Sequence, residues 1–220
     1  MDGTLDPMAT ALSTDLYEIT MAAGYVTAGI TDRASFELSV RSLPANRSYL
    51  IAAGLEPALE YLENFAFTPT EIEYLRSLPA LRNVASAFFD ETLPSLRFTG
   101  DVWAMPEGTP VFPHEPLVRV TAPLVEAQLV ETTLLSTISF QTSVASRAAR
   151  IVDAADGRPV FEFGARRAHG TDAGVFAARG AYVGGCAGTS MVEAGYRYGL
   201  PLTGTMAHSW VMCFETETES

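Results

Sequence analysis

The chain has 220 residues, 48% of them hydrophobic and 18% charged, and a formal net charge of −12. That balance describes a globular protein of one or two domains and excludes a disordered chain. It also argues against nucleic acid as a partner, which needs clustered Lys and Arg, and no apolar run approaches the roughly 20 residues of a membrane-spanning helix.

The N-terminal Met1-Asp2-Gly3-Thr4-Leu5-Asp6 lacks the basic and apolar blocks of a secretory signal, so the expected location is cytoplasmic. Leu12 to Ala28 reads as a helix, with Ser13, Thr14 and Asp15 as candidate caps and Leu16, Ile19, Thr20 and Ala23 on one face. Ala34 to Val40 alternates apolar and polar residues and reads as a half-buried strand, followed by a turn at Pro44 to Arg47. Leu55 to Phe65 and Pro69 to Ser77 read as helices, the second capped by Thr68 with Pro69 in its first turn. Ala80 to Asp90 is expected to be a third helix. The period then changes, and Leu96 to Ala104, Thr109 to Phe112 and Leu117 to Thr121 read as strands.

Leu124 to Ala155 is a long amphipathic stretch without Gly or Pro, longer than an average helix, so a break is expected near Ser139-Phe140. Strands near 159–163, 182–186 and 201–206 alternate with helices near 172–181 and 189–198, the order of a parallel sheet or barrel. The expected organisation is α/β. It comprises an N-terminal α+β domain over 1–122, an interdomain helix region over 123–156 and the first part of a parallel α/β barrel over 157–220. Cys186 and Cys213 fit no zinc spacing and read as two buried, reduced thiols.

Three polar clusters follow the last three expected strands. They are Phe161-Glu162-Phe163-Gly164-Ala165-Arg166-Arg167, Gly184-Gly185-Cys186-Ala187-Gly188-Thr189-Ser190 and Gly204-Thr205-Met206-Ala207-His208-Ser209-Trp210. In α/β barrels chemistry sits at the carboxyl ends of the strands. Two arginines there suit a phosphate, which guanidinium binds in bidentate fashion. Adjacent residues point different ways, so one of Arg166 and Arg167 can face an anion while the other pairs with Glu162 or Asp172. His208 suits acid–base or nucleophilic work, and its ordinary alternative is a histidine at a strand end. His114 and His169 read as surface residues. The hydroxyls of Thr189, Ser190 and Thr205 are neutral donors, although Thr189-Ser190 could equally cap the next helix. Glu193, Asp101 and Glu107 show no evident partner in the sequence and read as solvated or structural.

These clusters, together with Ser13-Thr14-Asp15-Leu16-Tyr17-Glu18-Ile19-Thr20-Met21, resemble nicotinate phosphoribosyltransferase, in order from about Leu12 to Phe214. The resemblance implies a type II phosphoribosyltransferase fold and a reaction of nicotinate with phosphoribosyl pyrophosphate to give nicotinate mononucleotide, an entry to NAD. It implies that ATP phosphorylates His208, that Arg166 rather than Arg167 takes substrate phosphate, and that Phe163 and Tyr17 enclose the pyridine ring. Tyr17 would come from the neighbouring subunit of a homodimer. Ser190, where related nicotinamide enzymes carry aspartate, favours the acid over the amide, and Thr205 completes the substrate-binding set. Mg2+ is the implied cofactor, accompanying ATP and phosphoribosyl pyrophosphate, with no metal ligand assigned to the chain. Ser139 and Arg147 depart from the asparagine and lysine usual in the family.

Three parallel strands cannot close a barrel of about eight. The expectation is therefore a fragment, inactive alone, or a chain completed by a C-terminal half. The other classes weighed are a non-catalytic assembly partner of a full-length subunit and a nicotinamide or quinolinate phosphoribosyltransferase.

Overall fold

The computed structural model describes residues 9–219. Helix α1 (Leu16–Thr27) starts at Asp15 in extended conformation and buries Ile19, Ala22 and Ala23 against the start of a later helix. Gly29 adopts φ 67 and closes the C-terminus, as left-handed glycines commonly do. Strand β1 (Arg33–Ser39) follows, and the turn at 44–47 is closed by the Arg47 N–H donating to Pro44 O at 2.9 Å. Strand β2 (Leu50–Ile51) leads to α2 (Leu55–Glu63) and α3 (Pro69–Ser77). The α3 start is a reciprocal capping box between Thr68 and Glu71 with Pro69 in the first turn.

The expected helix over Ala80–Asp90 is helical only from residue 86 onward, and irregularly so. A 3-10 turn at Pro79–Leu81 and a widened π turn at Phe88–Thr92 lead into one turn of helix, α4 (Leu93–Ser95). Pro94, in the first turn of α4, has no N–H to give to the carbonyl four residues back, in keeping with the widened turn that precedes it. The irregular path buries both Phe88 and Phe89, which meet edge to face at 5.4 Å.

Strands β3 (Asp101–Ala104), β4 (Pro110–Val111) and β5 (Pro116–Pro123) complete the antiparallel part. Its three-stranded sheet has the order β1-β5-β3, with Phe36 opposite Val120 and Val102 opposite the same residue from the other side. The shorter β2–β4 pair is also antiparallel. The expected strand over Leu96–Ala104 begins only at Asp101. The Thr99 N–H and hydroxyl bond the buried Glu126 carboxylate instead of a ladder partner.

The long helical stretch breaks at Val130, not at Ser139-Phe140. Helix α5 (Leu124–Leu129) ends there and α6 (Glu131–Ala154) runs for 24 residues. The break lets Leu129 and Val130 both reach the core, where each is 1% exposed or less. The hydroxyls along α6 do not interrupt it, because Ser136, Ser139 and Ser146 bond carbonyls of the preceding turn. One large core spans α1 to α6, and each fully buried Leu, Ile or Phe in it contributes about 1.5–3 kcal/mol.

After α6 the strands run parallel. Strand β6 (Phe161–Glu162) precedes α7 (Thr171–Val183), and β7 (Gly188–Thr189) precedes α8 (Val192–Tyr198). The expected strand at 182–186 is instead the end of α7 and its turn, with Gly185 at φ 98. Two glycines one helical turn apart explain the extension of α7. A Cβ on Gly184 would lie 2.4 Å from Ala145 O, and one on Gly180 would lie 3.0 Å from Gln141 O. Without side chains there, α7 presses directly onto α6. The expected third strand over 201–206 is reduced to one parallel bridge between Thr189 and Leu202, and a short helix α9 (His208–Val211) follows.

Gly184→Ala is expected to destabilise the chain by about 1–3 kcal/mol, because the added methyl overpacks a backbone contact. Gly24→Ala, with nothing within 4 Å of the new Cβ in exposed α1, is expected to stabilise by about 1 kcal/mol through helix propensity. Urea unfolding of both variants checks the opposite signs.

Candidate active site

The parallel pair brings three chain segments to one rim. Glu162 stands opposite Thr189 in register, and Thr189 bridges onward to Leu202. The Ser190 N–H donates to Glu162 O, and the Thr203 N–H to Thr189 O, each at 3.0 Å. Parallel strands leave a sheet at the same end, so Phe163, Ser190 and Thr203 all emerge there.

Side chains lock this rim more than the two-residue ladder does. The Glu162 carboxylate accepts a hydrogen bond from the Gly164 N–H through Oε1 and one from the Thr189 hydroxyl at 2.8 Å through Oε2. Thr189, fully buried, in turn accepts the Met191 N–H at 3.0 Å. Met191 is the N-cap of α8 and no side chain caps that helix, so neither Thr189 nor Ser190 fills the capping role, and Ser190 is half-buried. Glu162 forms no ion pair with Arg166 or Arg167, contrary to the ordinary alternative read from the sequence.

Arg166 and Arg167 lie in a 3-10 turn over Ala165–Arg167 at the end of β6, both exposed. The Arg167 guanidinium bends back to Phe163 O at 3.4 Å, leaving Arg166 without an ion pair among the described residues. Phe163 is 40% exposed. Thr205 and His208 are exposed as well, and His208 opens α9 rather than following a strand directly. His114 and His169 are exposed, as expected.

Tyr17 lies apart from the rim, on α1, where its hydroxyl donates to Glu131 at 3.1 Å. Desolvation, the Glu131 hydrogen bond and the charges of Glu131 and Glu18 all push its phenol pKa up. No ring contact joins Tyr17 to Phe163 within the described residues of one chain. Behind Tyr17, the fully buried Glu18 accepts the Thr132 hydroxyl at 2.7 Å and is also bonded by the Thr14 hydroxyl.

Sequence reasoning missed the strongest electrostatic feature. Arg179, 4% exposed on α7, binds Glu107 in bidentate fashion at 2.6 and 2.8 Å. It also reaches Glu56 at 2.5 Å and Gln141 Oε1 at 3.0 Å, and it lies 5.3 Å from the centre of the Tyr198 ring. Glu107 additionally accepts the Gly54 and Leu55 N–H groups at the start of α2. Glu107 is thus a half-buried partner of Arg179, not a solvated residue, while Asp101 and Glu193 pair with Arg33 and Arg197. A readable signal existed: Arg179 falls four residues after Val175, on the apolar face of α7, where a cation demands buried carboxylates.

The cysteine expectation holds for one residue. Cys186 is buried, and burial followed by the Glu162 charge pushes its thiol up. Cys213 is exposed, because α9 is too short to cover it. Ser139 and Arg147 both lie on exposed positions of α6.

Two cavities accompany these features. One of about 720 Å³ lies between the β1–β5 face and α5–α6 and includes Ser139 in its wall. The other, of about 500 Å³, lies among α2, α6, α7 and α8 and includes Asp172. Neither is lined by Tyr17, Phe163, Arg166, Ser190, Thr205 or His208. No helix among the described residues is long and apolar enough to cross a membrane.

Residues 12–139 match the family model described as nicotinate phosphoribosyltransferase N-terminal domain. A nicotinate phosphoribosyltransferase of Mycobacterium tuberculosis is 53% identical over 207 residues, covering 94% of this chain and 44% of the relative. The Bacillus subtilis enzyme of that name is 46% identical, with 94% and 42% covered. Among solved structures, human nicotinic acid phosphoribosyltransferase superposes with a TM-score of 0.82 at 40% identity, covering 91% of this chain and 40% of the human one. A nicotinate-nucleotide pyrophosphorylase from Pyrococcus furiosus gives 0.73 at 25% identity, with 95% and 45% covered. The chain therefore spans less than half the length of these relatives.

Glu107→Gln is expected to lower stability at neutral pH by about 3 kcal/mol, because it leaves the Arg179 charge short of a partner. Burial alone would raise the Glu107 carboxyl, but the Arg179 hydrogen bonds and charge and the two backbone N–H groups hold it below its ordinary 4.5. Its folded value is depressed, so its contribution is complete above about pH 4.5 and fades as pH falls through the lower folded value. Thermal unfolding from pH 7 to pH 3 should show the gap between wild type and variant narrowing below pH 4.5.

Proposed function

The chain belongs to the nicotinate phosphoribosyltransferase family, and from that membership we propose that it serves the transfer of a phosphoribosyl group from phosphoribosyl pyrophosphate to nicotinate. The product is nicotinate mononucleotide, for NAD salvage, in the cytoplasm. The observation that carries the reading is the common rim of β6, β7 and the Leu202 segment, which gathers an unpaired arginine turn, a Ser190 loop and the chain leading to His208.

In this proposal Arg166 holds a substrate phosphate, since guanidinium matches its geometry and is always charged. The N-terminal end of α7 follows the same turn and adds a favourable field for an anion. Phe163 offers one face for the pyridine ring, and Tyr17 of a second subunit offers the other. Ser190 and Thr205 donate to the nicotinate carboxylate without adding charge. His208 takes phosphate from ATP and couples its hydrolysis to the transfer. Its exposure supports access by ATP.

Mg2+ is proposed to arrive with ATP and the pyrophosphate, held by phosphate oxygens and water as this small octahedral ion usually is. The described residues contain no group of three or more His, Cys, Asp or Glu side chains suited to a metal. When bound, the ion neutralises charge on the pyrophosphate leaving group.

We assign residues 1–122 to an α+β domain, 123–156 to the interdomain helix region and 157–220 to the first part of an incomplete barrel. A homodimer, or pairing with a complementing C-terminal half, would complete the site. The reading as an assembly partner has its own support. Val192, Tyr196, Leu202, Met206, Trp210 and Met212 are 50% exposed or more, an apolar set flanking the last strand segment. Exposed apolar groups of this extent usually mark an interface.

Two experiments test the enzymatic reading. Incubation of the chain completed by its C-terminal half with γ-labelled ATP should deposit acid-labile phosphate on His208, and His208→Ala should abolish it. Label on another residue, or unchanged labelling of the variant, would defeat the assignment. Ser190→Asp should reduce nicotinate turnover far more than nicotinamide turnover, since like charges in a partly desolvated site cost about 2–4 kcal/mol. Equal losses for both substrates would make Ser190 a bystander.

A further inference from the structure

We propose that Glu162 is a positioning residue that ties the arginine turn after β6 to the Ser190 loop after β7, an inference that rests on the functional reading above. A carboxylate on this rim needs an explanation. It adds negative charge beside the loops proposed to take two anions, nicotinate and a phosphate, and unpaired it would repel both. Glu162 has no ion-pair partner among the described residues and belongs to no metal-binding group. A role as general base fits poorly, because each carboxylate oxygen already accepts a hydrogen bond.

Those two bonds come from different loops. Oε1 takes the N–H of Gly164, the residue that leads into Ala165–Arg167. Oε2 takes the Thr189 hydroxyl, whose own oxygen accepts the Met191 N–H at the entry to α8. The result is one chain of donors and acceptors: Gly164 N–H to Glu162 to Thr189 hydroxyl to Met191 N–H. The Glu162 carbonyl adds a third tie, from the Ser190 N–H.

Two further observations show that the tie is built in. A Cβ at position 164 would stand 2.7 Å from Glu162 Oε1, so a larger residue there would push the carboxylate away from the Gly164 N–H. Thr189 is fully buried, so its hydroxyl has no water to turn to. The ladder itself pairs only two residues per strand and cannot fix two loops unaided. Glu162 thus sets the distance between the proposed phosphate-binding arginine and the serine proposed to bind the nicotinate carboxylate, with its own charge offset by two neutral donors.

The test uses amide hydrogen exchange on the 220-residue chain and equilibrium binding of nicotinate to the chain completed by its C-terminal half. Glu162→Ala and Thr189→Val should speed exchange at Gly164, Ser190 and Met191 by about tenfold or more, the effect of losing a bond to a charged acceptor. Exchange in α1 to α3 should stay unchanged. Glu162→Gln keeps an acceptor for Gly164 and Thr189→Ser keeps the hydroxyl, so both should recover most of the protection. Nicotinate affinity should fall about tenfold in the first two variants and recover in the conservative pair. Faster exchange throughout the chain would reduce Glu162 to a general stability role, and local exchange with unchanged nicotinate affinity would remove its link to the site. Either result overturns the proposal. If wild type binds no nicotinate, the functional reading falls, and the exchange pattern alone decides whether the tie exists.

Discussion

The Arg179 guanidinium is the hinge pin of the structure. It is nearly buried, and it joins Glu107 of the β3–β4 turn, Glu56 of α2 and Gln141 of α6 to helix α7. A buried charge is expensive unless every donor finds an acceptor. That requirement makes the arrangement close to unique: α7 can dock only where both carboxylates and the amide oxygen converge. The neighbouring Gly180 enforces the same register sterically, because its missing Cβ lets α7 touch the Gln141 backbone. Electrostatics and close packing therefore specify one docking of the parallel part onto the antiparallel part.

The candidate site inherits its geometry from that docking. Helix α7 begins just after the arginine turn and ends at the Gly184-Gly185 turn that feeds β7. Its two ends therefore fix where Arg166 leaves β6 and where Thr189 enters the sheet. The strands add little, having two residues each. Precision on the rim comes from α7 behind it and from the Glu162–Thr189 link within it. Catalytic constellations generally need such a supporting layer, because a loop alone does not hold side chains to a fraction of an ångström.

Local signals made much of this legible in the sequence, and nonlocal ones did not. Thr68, Pro69 and Glu71 announce the start of α3 because capping chemistry is contained within four residues. The alternation at Ala34–Val40 announces β1, whose face is half covered. The apolar segment from Tyr182 to Cys186 reads as a strand but ends α7 and its turn, because the burial of Cys186 comes from packing against α6 some forty positions earlier. Glu107 and Arg179 lie 72 residues apart, so no spacing rule connects them. For the site, Phe163, Arg166 and Ser190 were readable as residues that follow strands. Which oxygen bonds which loop was not, since Glu162 beside two arginines suggests an ion pair until the Gly164 N–H and Thr189 hydroxyl are seen to occupy it.

The net charge of −12 and an anion-binding reading are reconciled at this rim. All fourteen basic residues of the chain are arginines, and several are consumed by carboxylates: Arg33, Arg76, Arg119, Arg179 and Arg197 each hold an ion pair. Arg166 and Arg167 are adjacent, exposed and hold none among the described residues, and the helix that follows them directs its N-terminal end to the same turn. The Glu162 carboxylate on the same rim accepts from two neutral donors, the Gly164 N–H and the Thr189 hydroxyl, which offset its charge. A local field that favours anions can thus exist on an acidic protein, because over distances beyond roughly 10 Å the remaining surface charges are screened by salt. The chemistry of the rim depends on which charges are already paired, and much less on their sum.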